Sequence, residues 1–298
     1  MINKIRLSEN FRAVFYAPFY ATHALGFYAR EGVELELINS ATPGGATDGL
    51  IDGSIDATWG GPMRVMKARD EAKGFDLVCF CEMVRKDPFY LIGKPRGADF
   101  KITDLSHLKF ASVSEVPTPW LCLQHDLREL GIDPAEIDRV ADRSMADNLE
   151  ALRGGKLDVA QMFEPYATMA VSSGIGQILH AASSRGDTTY TTLLATRASV
   201  EKNRAAFAAM VRANAAMQDW LSQHNAEDLA RVVAPYFPSV AKEHLVAAFG
   251  RYMAAGLWAK DTAVSRQGFS RLAASLHSGK FISRMPIYED CVIEFPLR

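Results

Sequence analysis

At 298 residues, with 48% hydrophobic and 23% charged residues, the chain can bury a sizeable core, and its length suits two compact lobes. A formal net charge of −2, from 33 basic and 35 acidic residues, supplies no field for nucleic acid or an anionic membrane. No basic run with interleaved aromatics appears, and no apolar run approaches the ~18–20 residues of a membrane-spanning helix, so neither nucleic acid nor membrane insertion is expected.

Short apolar runs alternate with helical ones from the first residues, the pattern of parallel sheets covered by helices. Met1 to Leu7 runs directly into a strand at Ile5–Leu7, with no secretory leader, so the sequence as it stands reads as cytoplasmic. A chain already shorn of its leader would read the same and be periplasmic. A helix is predicted over 18–30, closed by Gly32, and Val33 to Ile38 then alternates apolar and charged residues as a half-buried strand. A short helix over 45–51 stops at Gly53, and a strand follows over 55–59.

The same grammar returns about a hundred residues later. Tyr28-Ala29-Arg30-Glu31-Gly32-Val33-Glu34 is echoed by Leu127-Arg128-Glu129-Leu130-Gly131-Ile132-Asp133. Leu50-Ile51-Asp52-Gly53-Ser54-Ile55-Asp56-Ala57 is echoed by Leu152-Arg153-Gly154-Gly155-Lys156-Leu157-Asp158-Val159. Two echoes in one order predict two lobes of related topology. Leu77 to Met83 reads as the first crossing between them and Thr188 to Leu194 as the return. Residues 1–85 and 187–298 then form a discontinuous first lobe, and 86–186 the second. Phe207, Met210, Val211, Met217, Trp220 and Leu221 keep helical spacing and read as core. Helices near 245–249 and 269–276 are expected to pack back on the first lobe.

Ligands of open parallel sheets bind beyond the carboxyl ends of the strands. Four loops qualify. The loop from Ser8 to Tyr16 carries Asn10, Phe11, Arg12 and Tyr16, and with Phe15 and Phe19 it holds enough aromatics to stack a flat ring. The loop from Ala41 to Thr47 brings Gly44, Gly45 and Thr47 to a helix start, where free N–H groups suit an anion. Trp59-Gly60-Gly61-Pro62-Met63 joins a strand to a helix that begins with proline. In the second lobe, Pro117 and Thr118 stand in the loop from Ser114 to Trp120. Glu164, between an apolar strand and Pro165, is expected at the cleft edge, where a carboxylate would accept a pair of ring N–H groups. Tyr190, on the return crossing, completes the candidate set.

Cys79, Cys81, Cys122 and Cys291 include no C-x-x-C pair, and the histidines lack ligand spacing. The cysteines read as buried free thiols, and neither a metal nor another cofactor is expected. Glu82, Glu115 and Glu164 have no sequence-visible partner that would make them a nucleophile or an acid–base pair. Binding of one small molecule is therefore preferred over catalysis, with a cytoplasmic sensor as a third reading.

At these loops the sequence resembles the substrate-binding proteins of ABC importers for nitrate, sulfonates, taurine and thiamine-pyrimidine precursors. The resemblance runs through Pro18-Phe19-Tyr20-Ala21, Gly26 to Leu35, Gly53-Ser54-Ile55-Asp56-Ala57 and Leu157-Asp158-Val159-Ala160, and covers essentially the whole chain. It implies an α/β, two-lobed type II periplasmic-binding-protein-like fold with mixed, mostly parallel sheets, two hinge strands and an ABC-transporter permease as partner. The fungal thiamine-pyrimidine synthases share the fold, and their glutamate matches Phe163-Glu164. Their lysine and histidine are missing from Trp59 to Met66, and their cysteine run from Asp187 to Thr191. A desulfinase on this scaffold uses a cysteine where this chain has Asn10-Phe11-Arg12. The expectation is a solute-binding protein for an aminopyrimidine of the thiamine-precursor kind, stacked on Phe11 or Trp59 and anchored by Glu164. The alternatives are an oxyanion binder using Arg12, Arg64 or Arg85, and an enzyme resembling the synthase or the desulfinase.

Overall fold

The computed structural model describes residues 3–39, 45–71, 76–95 and 100–297. Its first half opens with strand β1 (Asn3–Ser8), helices α1 (Ala17–Ala24) and α2 (Phe27–Arg30), β2 (Val33–Ile38), α3 (Gly45–Asp52), β3 (Ala57–Gly60), α4 (Met63–Asp70) and β4 (Leu77–Val84). The helix expected over 18–30 is broken. Gly26 takes φ +72°, a left-handed conformation open to glycine, and turns the chain between α1 and α2.

The chain then crosses to a second sheet. β5 (Tyr90–Gly93), β6 (Phe110–Ala111), α5 (Thr118–Glu129), β7 (Arg139–Val140), α6 (Met145–Arg153), β8 (Val159–Met162), α7 (Tyr166–Ser172) and β9 (Gln177–Ala181) follow in order. The return brings β10 (Thr191–Thr196), α8 (Arg197–Lys202), α9 (Arg204–Gln223), α10 (Ala226–Val233), α11 (Lys242–Ala254), α12 (Arg266–Ser278) and α13 (Tyr288–Cys291).

The two five-stranded sheets have strand orders β2-β1-β3-β10-β4 and β7-β6-β8-β5-β9. Each has one antiparallel strand in its fourth place, and in each case that strand has just arrived from the other sheet. Two lobes of one topology exchange their crossing strands.

The sequence echo has a physical basis at two carboxylates. Asp56 accepts from the Arg6 backbone N–H at 2.9 Å and returns its own N–H to the Arg6 carbonyl, fixing β3 beside β1. Asp158 does the same for Lys109, fixing β8 beside β6. The glycines at 32 and 131, and at 53 and 155, all have positive φ. Each pair occupies the same junction in its lobe.

The core runs through both lobes. On α9, Phe207, Met210, Val211 and Met217 are buried and pack against it, with Trp220 and Leu221 partly covered. β4 is buried along its entire length. All four cysteines are free and buried, and burial pushes the Cys122 thiol up to about 12 and the Cys291 thiol to about 11. α12 departs from expectation. It touches α4 of the first lobe but packs more extensively on α5 of the second.

Candidate functional site

Loops at the carboxyl ends of β1 and β3, the start of α5 and the return crossing converge on a cavity of about 30 Å³. The β1 loop is held from behind. Glu9, buried, accepts hydrogen bonds from the Tyr20 hydroxyl and from Arg12. Arg12 also reaches Asn39 at 2.9 Å and the Tyr236 carbonyl at 3.3 Å. Its charge is spent on the outside of the loop and does not line the cavity, contrary to the sequence expectation.

The aromatics divide between core and cavity. Phe19 lies flat on Trp59, ring centres 5.0 Å apart and planes 3° from parallel. Trp59 is wholly buried, so it is a sheet-packing residue with no face left for a ligand. Gly60 belongs with it, because a Cβ there would press on Leu194 at 3.2 Å. Phe11, Phe15 and Tyr16, by contrast, form one wall of the cavity, and Tyr190 continues it. The rings meet edge to face: Phe11 on Tyr16 at 65°, Phe15 on Tyr190 at 88° and on Phe163 at 87°.

Asn10, Gly61, Met63 and Arg64 form the second wall. Val116, Pro117 and Thr118 face them from the other lobe, and the Thr118 hydroxyl donates across the gap to the Met63 sulfur at 2.7 Å. Asn10, Phe11, Tyr16, Pro117, Thr118 and Tyr190, all singled out from sequence, are therefore brought together. Gly45 and Thr47 lie on α3, and neither is among the lining residues. Gly44 lies outside the described residues.

Three groups in this cavity are electrostatically conspicuous. No guanidinium nitrogen of Arg64 is hydrogen-bonded or ion-paired to a described residue, and burial holds its pKa below the usual arginine range, against Tyr16 and Asp48. Burial likewise pushes the Tyr16 phenol up to about 12, against the pull of Asn10 and Arg64. The Tyr190 hydroxyl is buried with no hydrogen-bond partner. The third arginine considered, Arg85, is consumed elsewhere by Glu82 and Asp261.

Glu164 is not at the cleft edge. It is fully buried, and its carboxylate accepts from Arg251 Nε at 2.8 Å, the Thr168 N–H at 2.8 Å and the Thr168 hydroxyl at 2.7 Å. Arg251 comes from α11, which packs on α10 and on the turn Val14–Tyr16 as well as on α7. The pair thus ties the first lobe to the second behind the cavity. Among the described residues, no group of three His, Cys, Asp or Glu is placed to hold a metal ion.

A family model described as the NMT1-like family matches residues 11–234. The chain belongs to the NMT1-like family. Over 291 residues this NMT1-like protein is 23% identical to YtlA of Bacillus subtilis (strain 168), covering 96% of this chain and 86% of YtlA. Its fold matches the periplasmic aliphatic sulphonate binding protein SsuA from Escherichia coli with a TM-score of 0.77 at 18% identity, covering 96% of each chain. It matches the periplasmic nitrate-binding protein NrtA from Synechocystis PCC 6803 with a TM-score of 0.68 at 16% identity, covering 94% of this chain and 81% of that one. The two-lobed solute-binding-protein fold expected from the sequence is the fold of the NMT1-like chain. No described helix is long and apolar enough to cross a membrane.

Gly61, Met63 and Val116 line the cavity without having been chosen individually from the sequence, Phe15 entered only as one of the loop's aromatics, and Arg64 as one of three arginines. A signal for Arg64 did exist. It lies two residues past Pro62, at the first turn of the helix that follows a strand end, where side chains face the cleft.

Proposed function

We propose that this protein is a solute-binding protein that closes its lobes on a small oxyanion, with Arg64 as the cation that receives it. One observation carries the reading: a mostly buried guanidinium, unpaired among the described residues, lining the space between the lobes. A half-buried cation with no protein partner keeps its hydrogen-bond donors for a ligand, and an oxyanion would supply charge-assisted acceptors. Asn10 and Thr118 can add hydrogen bonds from opposite walls. The Thr118 hydroxyl gives up only a weak thioether acceptor in doing so. The sulphonate- and nitrate-binding proteins that share the fold support this ligand class.

The aminopyrimidine reading has less support, since the carboxylate it needs is engaged by Arg251 and Thr168. Delivery to the permease of an ABC importer belongs to the same proposal, as do lobe limits at 85/86 and 186/187, between the strands of the two sheets.

The test is calorimetric titration of nitrate and methanesulfonate at low ionic strength into the parent, Arg64→Met and Arg64→Lys. At least one anion should bind the parent, and Arg64→Met should lose about tenfold to a hundredfold in affinity, the worth of a charge-assisted hydrogen bond. Its melting temperature should stay close to the parent's, because the charge removed has no partner among the described residues. Full affinity in Arg64→Met would refute the assignment.

A further inference from the structure

Helix α12 follows the return crossing in the chain, yet it reaches from the crossings to the second lobe. At its start the Ser265 N–H donates to the buried Glu82 carboxylate at 3.1 Å, and the Ser265 carbonyl accepts from the Thr189 hydroxyl at 3.1 Å, so both crossings hold this end. The same stretch carries irregular backbone. Cys81 and Thr189 have φ of +54° and +45°, in the left-handed region that favours glycine, and the β4–β10 register skips Cys81 between Phe80 and Glu82. Such positions are where two lobes can bend.

Further along, α12 lies on α5. Leu121 and Cys122 of α5 are buried in one apolar cluster with Phe269, Leu272, Ala273 and Leu276 of α12. At the end of α12, the Ser278 hydroxyl meets His125 Nδ1 at 3.1 Å and accepts from the Arg128 guanidinium at 3.4 Å. Leu121, His125 and Arg128 follow one another at i, i+4 and i+7, a single face of α5. The helices approach closely because Gly279 has no side chain, and a Cβ there would stand 2.5 Å from Leu121 Cδ2.

The other end of α5 is in the cavity. Pro117 and Thr118, at the start of the helix, line it, and the Thr118 hydroxyl rests on Met63. A helix moves as one body, so the mouth cannot part at Thr118 unless α5 also leaves α12. The mouth has to part for a solute to enter, because about 30 Å³ has room for about two water molecules.

We infer that α12 is a latch: its contact with α5, centred on Gly279 and Leu121, holds the lobes closed before any solute is bound. It thereby sets the affinity without touching the ligand, since a solute that binds the closed form binds in proportion to the closed fraction. The inference rests on the reading that the lobes close on a solute.

The experiment places spin labels on the full chain at Ile51→Cys on α3 and Glu150→Cys on α6, exposed positions on helices that precede matching strands of the two sheets. The four native cysteines are buried and stay unlabelled. With no ligand present, double electron–electron resonance should give one short distance in the parent and add a longer one in Gly279→Val. Gly279 has φ −80°, open to any residue, so the new side chain acts by pressing on Leu121. Adding Leu121→Ala vacates the space it takes, and the double variant should return to the short distance, a rescue that a merely loosened fold would not show. Ser278→Ala, a milder change, should populate the longer distance to a smaller extent. Titration with nitrate and methanesulfonate reads the consequence: a tenfold fall in the closed fraction should weaken binding about tenfold.

An unchanged distance in Gly279→Val and Ser278→Ala, or a parent that already shows only the longer distance, would overturn the latch. A double variant that stays at the longer distance would do the same. A longer distance in Gly279→Val with anion affinity unchanged would overturn its control of binding. If the distances shift as expected but neither anion binds the parent, the oxyanion reading fails and the latch stands.

Discussion

Replacing Arg251 by methionine keeps the apolar stem and most of the volume but removes the guanidinium that faces Glu164. The carboxylate is left fully buried with two contacts, the N–H and hydroxyl of Thr168. Breaking a buried ion pair from one side costs ~3–5 kcal/mol. Here the Arg251 side chain is 30% exposed, so water can relieve part of the loss. The expected cost is about 2–3 kcal/mol, or a fall of about 4–6 °C in melting temperature for a chain of this size. Combining Arg251→Met with Glu164→Gln removes the stranded charge, and the amide oxygen can still accept from Thr168. The double variant should therefore be at least about 1 kcal/mol more stable than the two single costs predict. Differential scanning calorimetry of the parent, both single variants and the double variant closes the cycle. Single variants within about 1 °C of the parent, or costs that simply add, would refute the assignment of Glu164 as an interlobe anchor.

Three further outcomes follow from other parts of the fold. Burial pushes the Glu82 carboxyl up to about 7 against Arg85 and the Ser265 N–H, so the native state holds this proton longer than the unfolded chain does. Its contribution is fully present at acidic pH and declines, by an amount on the order of 3 kcal/mol, as pH rises from the ordinary glutamate range to about 7; Glu82→Gln should flatten the melting temperature between pH 5 and 8. A Cβ on Gly268 would stand 2.5 Å from the Thr189 hydroxyl and 2.7 Å from its backbone nitrogen, so Gly268→Ala should cost about 1–3 kcal/mol in urea unfolding by pushing α12 off the return crossing. Arg185, almost fully buried, joins Asp87 to Asp126, and Arg185→Met should cost about 3–5 kcal/mol in the same assay by stranding the Asp87 carboxylate.

Much of the fold was legible because its signals are local. The strand at Val33–Ile38 follows from alternation, the junctions at Gly32 and Gly131 from the need for positive φ, and the paired lobes from the matching positions of Asp56 and Asp158. The helix over 18–30 failed locally too, at Gly26, where a glycine inside the helical run takes positive φ and serves as a turn. At the site, loop position after a strand sufficed to gather Asn10, Phe11, Tyr16, Pro117 and Thr118, and the return crossing added Tyr190. What loop position does not encode is the partner. Arg12 and Arg64 are both loop-proximal cations, and it is Glu9, three residues away, together with the distant Asn39 and Tyr236, that occupies the first. Glu164 was misplaced for the same reason, since Arg251 reaches it from a helix much later in the chain. Trp59 illustrates the converse, an aromatic at a strand end whose face is taken by Phe19.

The exchange of crossing strands also sets an order of events on the ribosome. β4, buried along all of its length in the finished protein, pairs with β10 and bridges to Trp258 and Val292. All of these emerge only after every strand of the second sheet has been made. The second lobe can close on itself as it leaves the exit tunnel, while the first must wait with an apolar strand unsheltered. Nascent chains halted just after β9 should therefore carry a sticky, chaperone-binding segment at Leu77–Val84, and release beyond β10 should bury it.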